Sequence, residues 1–455
     1  MPVSFITASI LSVFTPRRDS IFIISAIGSS ASSTACIKSG LSANSGSLTV
    51  SEDPNWTTAA GTLATVSDGL GTSQTVGTLV AAAGAGGGTL VYSSDDSTFD
   101  TSYFVLNSST GVVTTHASTA ISALTSGGNY TESFNANASI SGDATKNTVR
   151  AFNIIVREDP SGGTLITSIS GYQFHVFKTI GSTNFVVPST KNMDYLIVGG
   201  GGGGSFGGGG AGGFRENGGT PISVSANTYS IVVGAGGAST SPVPATVGGN
   251  SSALGQTATG GGYGGGVATN YGVGGNGGSG GGGGHAQGGP SSGTGDAGGT
   301  GINDGGTFGT ATFQGYAGGA GKRAPNYGGG GGGGASEVGA TATGTSSNSG
   351  GYGGDGRSTV WGLSAADTTT IWAACSVGVV GYGESIRYLG GGGGGSYFTG
   401  TYDQNISGGK GGGGDGGQNT TSGSDGATNT GGGGGGNNGN KHVGGSGIVI
   451  IRYAV

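Results

Sequence analysis

Met193-Asp-Tyr-Leu-Ile-Val-Gly-Gly-Gly-Gly-Gly-Gly204 joins six strand-forming residues directly to six glycines. Its counterpart is Gly447-Ile-Val-Ile-Ile-Arg-Tyr453, which ends a glycine-dominated half. Between them the main glycine runs stand at 199–204, 207–210, 280–284, 328–334, 390–395, 411–414 and 431–436. Only 19 of the 114 glycines precede residue 198, so more than a third of the remainder is glycine. The two bracketing segments are the most apolar of this half. They are therefore expected to pair in one sheet and to close it.

Polyglycine can be a floppy linker, because glycine has the most chain entropy to lose. It can also form a bundle of extended left-handed helices with about three residues per turn, bonded only to their neighbours. Order is favoured here. The runs recur at similar length, strands bracket them, and aromatics punctuate them: Phe206, Phe214, Tyr263, Tyr271, Tyr327, Tyr352 and Tyr397. In such a bundle a side chain at Gly331 or Gly393 would hold neighbouring backbones apart.

The N-terminal half has another texture. Short Val-, Thr- and aromatic-rich segments occupy 62–66, 74–80, 89–92, 103–106, 111–115, 130–134 and 149–156, with Gly, Asn, Asp and Ser between them. That spacing predicts an antiparallel β-sandwich over 47–160. No stretch carries a sustained helical period. The reading is all-β: an N-terminal segment 1–46, a sandwich 47–160, and a glycine-rich domain 161–455. Within 1–46, two apolar runs (3–14 and 21–27) flank Arg17 and Arg18. They are too short for a membrane span. From Arg17 onward they loosely imitate a secretion signal, but the 16-residue lead is out of place, and two strands of an attachment segment are the preferred reading.

Composition excludes much chemistry. Charged residues make up 8% and the net charge is −6, with no basic run for nucleic acid. Cys36 and Cys375 have no metal or redox spacing and are expected as free thiols. His116, His175, His285 and His442 have no ligand partners at metal spacing, so neither metal nor cofactor is expected. No acidic pair or nucleophile motif stands out, and no enzyme activity is expected. Gly199, Gly201 and Gly204 fit a dinucleotide fingerprint only trivially, because more glycine follows where a helix is required.

Phe104-Val-Leu-Asn-Ser-Ser-Thr-Gly-Val-Val113 resembles the hairpin of cadherin-like and related Ig-type domains, without evident calcium motifs. Residues 163–455 resemble the glycine-rich domain of phage tail-fibre and related virion proteins. The match is carried by Gly171-Tyr-Gln-Phe-His-Val-Phe177, Phe185-Val-Val187, 195–204, Gly210-Ala-Gly-Gly213, Val232-Val-Gly-Ala-Gly-Gly237 and the closing 444–453. The resemblance implies a non-enzymatic virion structural protein of tail-fibre or adhesin type. Such a protein would attach to a host surface glycan or protein, join other virion proteins through 1–46, and form a homo-oligomer on the virion surface, without membrane insertion. The alternatives are an extracellular filament assembled by strand addition, or a capsid surface fibre or decoration protein. Recognition is expected from aromatics between the glycine runs: Trp361, Trp372, Tyr397, Phe398 and Tyr402. The competing reading of 357–389, with its two Trp, is a hydrophobic plug.

Overall fold

The computed structural model describes residues 53–455 with gaps at 85, 95–96, 126–128, 240–244, 268–271, 286–294, 303–312, 324–326, 344–349, 397–405, 418–422, 438 and 440–441. Before residue 53 it describes only the paired strands Phe22–Ile23 and Cys36–Ile37. The apolar run 3–14 and Tyr271 lie outside the described residues.

The first unit is a β-sandwich. One sheet holds β1 (Gly61–Ser67), β3 (Leu90–Ser94), β6 (Tyr130–Ile140) and β7 (Asp143–Arg157) in the order β1-β7-β6-β3. The facing sheet has β2 (Thr75–Thr78), β4 (Phe104–Leu106) and β5 (Val112–Thr115) in the order β2-β5-β4. Inward side chains such as Leu79, Phe104, Val113, Phe134, Phe152 and Ile154 fill the space between them. Trp56 packs edge-on against Phe152 at 5.3 Å. One feature departs from the antiparallel expectation: β1 and β7 pair in parallel. They are the first and last strands of their sheet, with the facing sheet's strands between them in sequence. No hairpin forces them antiparallel.

The second unit is built on a six-stranded sheet. Its main path runs β8 (Thr164–Ile166), β9 (Tyr172–Phe177), β19 (Ile448–Ala454), β11 (Lys191–Val198), β12 (Phe214–Glu216), with β13 (Ile222–Val224) also on β11. As the sequence predicts, β11 and β19 are neighbours, with Tyr195 opposite Ile451 and Val198 opposite Ile448. A second sheet, β10 (Gly181–Val187), β14 (Asn227–Val233), β15 (Ser251–Ala253) and β16 (Gln256–Ala258), covers one face. Tyr195, Ile197, Val449 and Ile451 meet Phe185 and Ile231 there. Leu196, Val198, Ile448 and Ile450 point the other way, toward Val360, Trp361, Trp372 and Leu389. A sheet buried on both faces reads as continuous hydrophobic sequence, which is why these two strands stand out.

From this sheet the glycine runs extend as ordered helices with three faces. Along 199–204, Gly199 and Gly202 donate to Gly213 and Gly210. Gly200 and Gly203 donate to Gly249 and Thr246, and Gly201 and Gly204 to Gly445 and His442, all at 2.9–3.0 Å. Every third N–H thus addresses the same neighbour, the signature of a threefold helix. Along 207–213, Gly207, Gly210 and Gly213 donate to Gly265, Gly262 and Thr259. Gly208 and Ala211 donate to Gly330 and Gly333, and Gly209 and Gly212 to Gly434 and Gly431. Partner numbers fall along some faces and rise along others, so parallel and antiparallel neighbours mix.

Glycine is required here by space. None of Gly201, Gly208, Gly282, Gly331 or Gly393 has a positive φ. A Cβ on Gly201 would lie 2.0 Å from the Gly432 carbonyl oxygen; on Gly331, 1.9 Å from that of Tyr352; on Gly393, 2.1 Å from that of Gly434. The linker reading is thereby excluded for these runs.

Candidate functional site

The interruption at 357–389 folds as a plug against the sheet. It contains α1 (Ala365–Ala374), which the sequence reading did not anticipate. Ser364 caps it: its Oγ accepts from the Asp367 N–H at 3.2 Å and donates to the Asp367 carboxylate at 2.7 Å. At the other end, Lys178 Nζ donates to the carbonyls of Cys375 and Ser376 at 2.8 and 3.0 Å. A short hairpin, β17 (Val379–Val380) with β18 (Arg387–Tyr388), follows.

This plug places Trp361 and Trp372 in the core, at 4% and 0% exposure, which removes both from the expected recognition surface. The reason is the second face of the sheet. Leu196, Val198, Ile448 and Ile450 need an apolar cover, and the two indoles supply it. Trp361 is further pinned by polar contacts. Its ring stacks on the Arg452 guanidinium at 4.1 Å, and its indole N–H donates to the Tyr195 carbonyl at 3.0 Å. Its backbone N–H donates to Glu216 at 2.5 Å. These contacts hold it at a φ of 54°, where a bulky residue is strained. Arg452 in turn donates to Asp194 at 2.8 Å, a buried ion pair linking β19 to β11. Burial pushes the Glu216 carboxyl up, partly opposed by the Trp361 N–H. The cluster is a staple between the plug and the sheet.

Tyr397, Phe398 and Tyr402 lie outside the described residues. Their flanking residues are well placed. Ser396 donates its N–H to the Phe206 carbonyl at 2.9 Å, and Ile406 bridges Gly416. Both belong to a layer at the end of the bundle farthest from the sheet. Asn437 donates to the Ser205 carbonyl, and Gly204 bridges His442 in the same layer. The Phe206 ring meets His285 edge-on at 4.4 Å, and His285 meets Tyr327 at 4.6 Å. Burial lowers the His285 pKa to about 4. The residues flanking 240–244, 268–271, 286–294, 324–326, 344–349, 397–405, 418–422 and 438–441 all belong to this end. The opposite, sheet-proximal end carries the plug.

Other expected features resolve simply. After β11 the chain runs extended and returns at β12, so no helix N-terminus faces Gly199–Gly204 to hold a pyrophosphate. His175 is structural: its Nδ1 lies 2.7 Å from the Gly162 carbonyl, and its ring packs on Phe185 and Tyr453. Cys375 is a free, buried thiol whose pKa burial pushes up to about 11. Among the described residues no group of three His, Cys, Asp or Glu could hold a metal ion, and no helix is long and apolar enough to cross a membrane.

No curated protein matches the chain. Among solved structures, protocadherin gamma B7 extracellular cadherin domains 1–4 match at 18% identity and a TM-score of 0.20, over 30% of this chain and 32% of that one. Mouse cadherin-23 EC22-24 matches at 15% identity and a TM-score of 0.19, over 29% of this chain and 50% of that one. The chain therefore spans half or less of either structure. A family model for a glycine-rich domain matches residues 178–454, from the end of β9 to β19. With three-fifths of its length inside that model, the chain belongs to the glycine-rich domain family.

Proposed function

We propose that the protein is a non-enzymatic attachment protein of a virion appendage, of tail-fibre or adhesin type, working outside the cell. Segment 1–46 joins it to other virion proteins, and the distal end of the glycine bundle meets a host surface glycan or protein. One observation carries the reading. The bundle body is made of backbone, while the described residues that flank eight connecting segments all belong to one end of the scaffold. A scaffold without side chains cannot discriminate between partners, so specificity falls to the connections. Of the five expected recognition residues, the three that remain fall in the sequence between Ser396 and Ile406, both of which belong to that end.

The test is a cell-binding assay with Tyr397, Phe398 and Tyr402 together changed to Ala. The expected outcome is an unchanged melting temperature while binding falls by about tenfold or more, as for loss of aromatic hot spots. Unchanged binding to cells by this variant would refute the role of these rings.

A further inference from the structure

The geometry points to a second ligand site, a subsite for a neutral sugar ring, in the cleft lined by Tyr316, Ser336, Asp355, Arg357, Thr359 and Tyr388. It lies at the sheet-proximal end, where the chain leaves the bundle for the plug. It is thus separate from the distal layer and independent of the attachment reading.

The cleft volume is about 210 Å³. Drug-sized pockets are larger, at roughly 300–1,000 Å³, so this one suits a single ring. Its walls include two partly exposed tyrosines, Tyr316 and Tyr388. An aromatic face suits the C–H face of a pyranose. The polar groups supply both donors and acceptors, which sugar hydroxyls need. The Asp355 carboxylate accepts, and the Arg357 guanidinium donates. The Thr359 hydroxyl can do either, and the Ser336 hydroxyl, whose hydrogen goes to backbone carbonyls, accepts.

These groups are already positioned by their neighbours. Asp355 accepts from the Lys410 N–H at 2.9 Å. Arg357 Nη2 donates to Thr359 Oγ1 at 3.4 Å. The Ser336 hydroxyl sits against the Asp355 and Gly356 carbonyls at 3.0 and 2.8 Å. The Tyr388 hydroxyl donates to Glu384 at 2.7 Å, and Lys410 holds Glu384 at 2.6 Å. A ligand would meet a site that costs little to order.

Charge decides the class of sugar. Asp355 and Arg357 are the charged groups of the lining, one of each sign, and Lys410 Nζ stands 3.8 Å from the Asp355 carboxylate. An acidic sugar would face Asp355, and an amino sugar with a free ammonium would face Arg357. A neutral pyranose meets neither penalty.

The test uses the full chain, with methyl glucoside, galactoside and mannoside as probes and N-acetylneuraminic acid as the charged comparison. Binding is read by saturation-transfer NMR and calorimetry. At least one neutral pyranoside should bind saturably in the millimolar range. Ser358 also lines the cleft, and Ser358→Trp, which would fill it, should weaken that binding about tenfold or more. Tyr316→Leu, which keeps apolar bulk but loses the aromatic face, should weaken it to a similar degree. Melting curves verify that both variants are folded. No saturable pyranoside binding, equal binding by the folded variants, or preference for N-acetylneuraminic acid would each overturn the proposal. Cell attachment tells the two sites apart. Pyranoside binding by a protein that does not attach to cells supports the cleft and overturns the attachment reading.

Discussion

Gly393 shows what the bundle demands of a single residue. Its N–H donates to the Gly209 carbonyl at 2.8 Å, and a Cβ would lie 2.1 Å from the Gly434 oxygen. The obstacle is backbone, so it cannot swing aside as a side chain would. Gly393→Val, or Gly331→Val, should cost at least the ~1–3 kcal/mol of ordinary overpacking, seen as a lower melting temperature. Gly71→Ala is the control: its nearest neighbour is a flexible Gln74 carbon at 3.7 Å, and its melting temperature should hold. His285 provides a pH signature. Desolvation lowers its pKa to about 4; Asp296 opposes this and Arg323 adds to it, these two being paired at 3.1 Å. The unfolded chain, with a His near 6.5, therefore takes up the proton first. Stability should fall as pH drops from about 6.5 and level off below about 4. His285→Leu should flatten that slope in pH-resolved melting. Some slope will remain, because burial also lowers the His175 pKa.

Among the elements, β19 carries the closure of the glycine-rich unit. It lies between β9 and β11, and both its faces are buried. Truncation after Gly447 removes it whole. The expected result is loss of a cooperative melt and rapid proteolysis of the C-terminal half; a protease-resistant truncated protein would contradict this closure. Trp361→Ala should cost roughly 3–5 kcal/mol, the usual range for a buried large aromatic, and should loosen the plug. Legibility in the sequence differed sharply here. β11 and β19 were readable because burial on two faces leaves an unbroken apolar run. α1 was not, because Ala365-Ala-Asp-Thr-Thr-Thr-Ile-Trp-Ala-Ala374 buries only Thr368, Ile371 and Trp372 and is rich in poor helix formers. The available signal was the Ser364–Asp367 cap, a variant of the capping box. The burial of Trp361 was equally hidden. Its partners, Tyr195, Glu216 and Arg452, are each distant in sequence and meet it only through the sheet.

At the scale of the molecule, two building methods stand in one chain. The sandwich packs side chains such as Phe104 and Phe152 between sheets. The bundle dispenses with side chains and is held by backbone bonds in three directions. The first method was legible as alternating short segments. The second was legible as glycine composition, but the identity of each run's neighbours was not, since glycine carries no pattern to pair. For the same reason the position of the distal layer emerged only from the hydrogen bonds of Phe206, Ser396 and Asn437. The threefold repeat also restricts how such a chain can change length. One added glycine after Gly201 would turn all following residues of that helix by about 120° and aim each N–H at the wrong neighbour. Three added residues would restore every direction and lengthen the helix by one turn. Insertions within the runs are therefore admissible only as whole codon triplets of triplets, nine bases at a time, while the distal connections are free of that arithmetic. Lineages of this protein would then diverge continuously at one end and in discrete steps along the body.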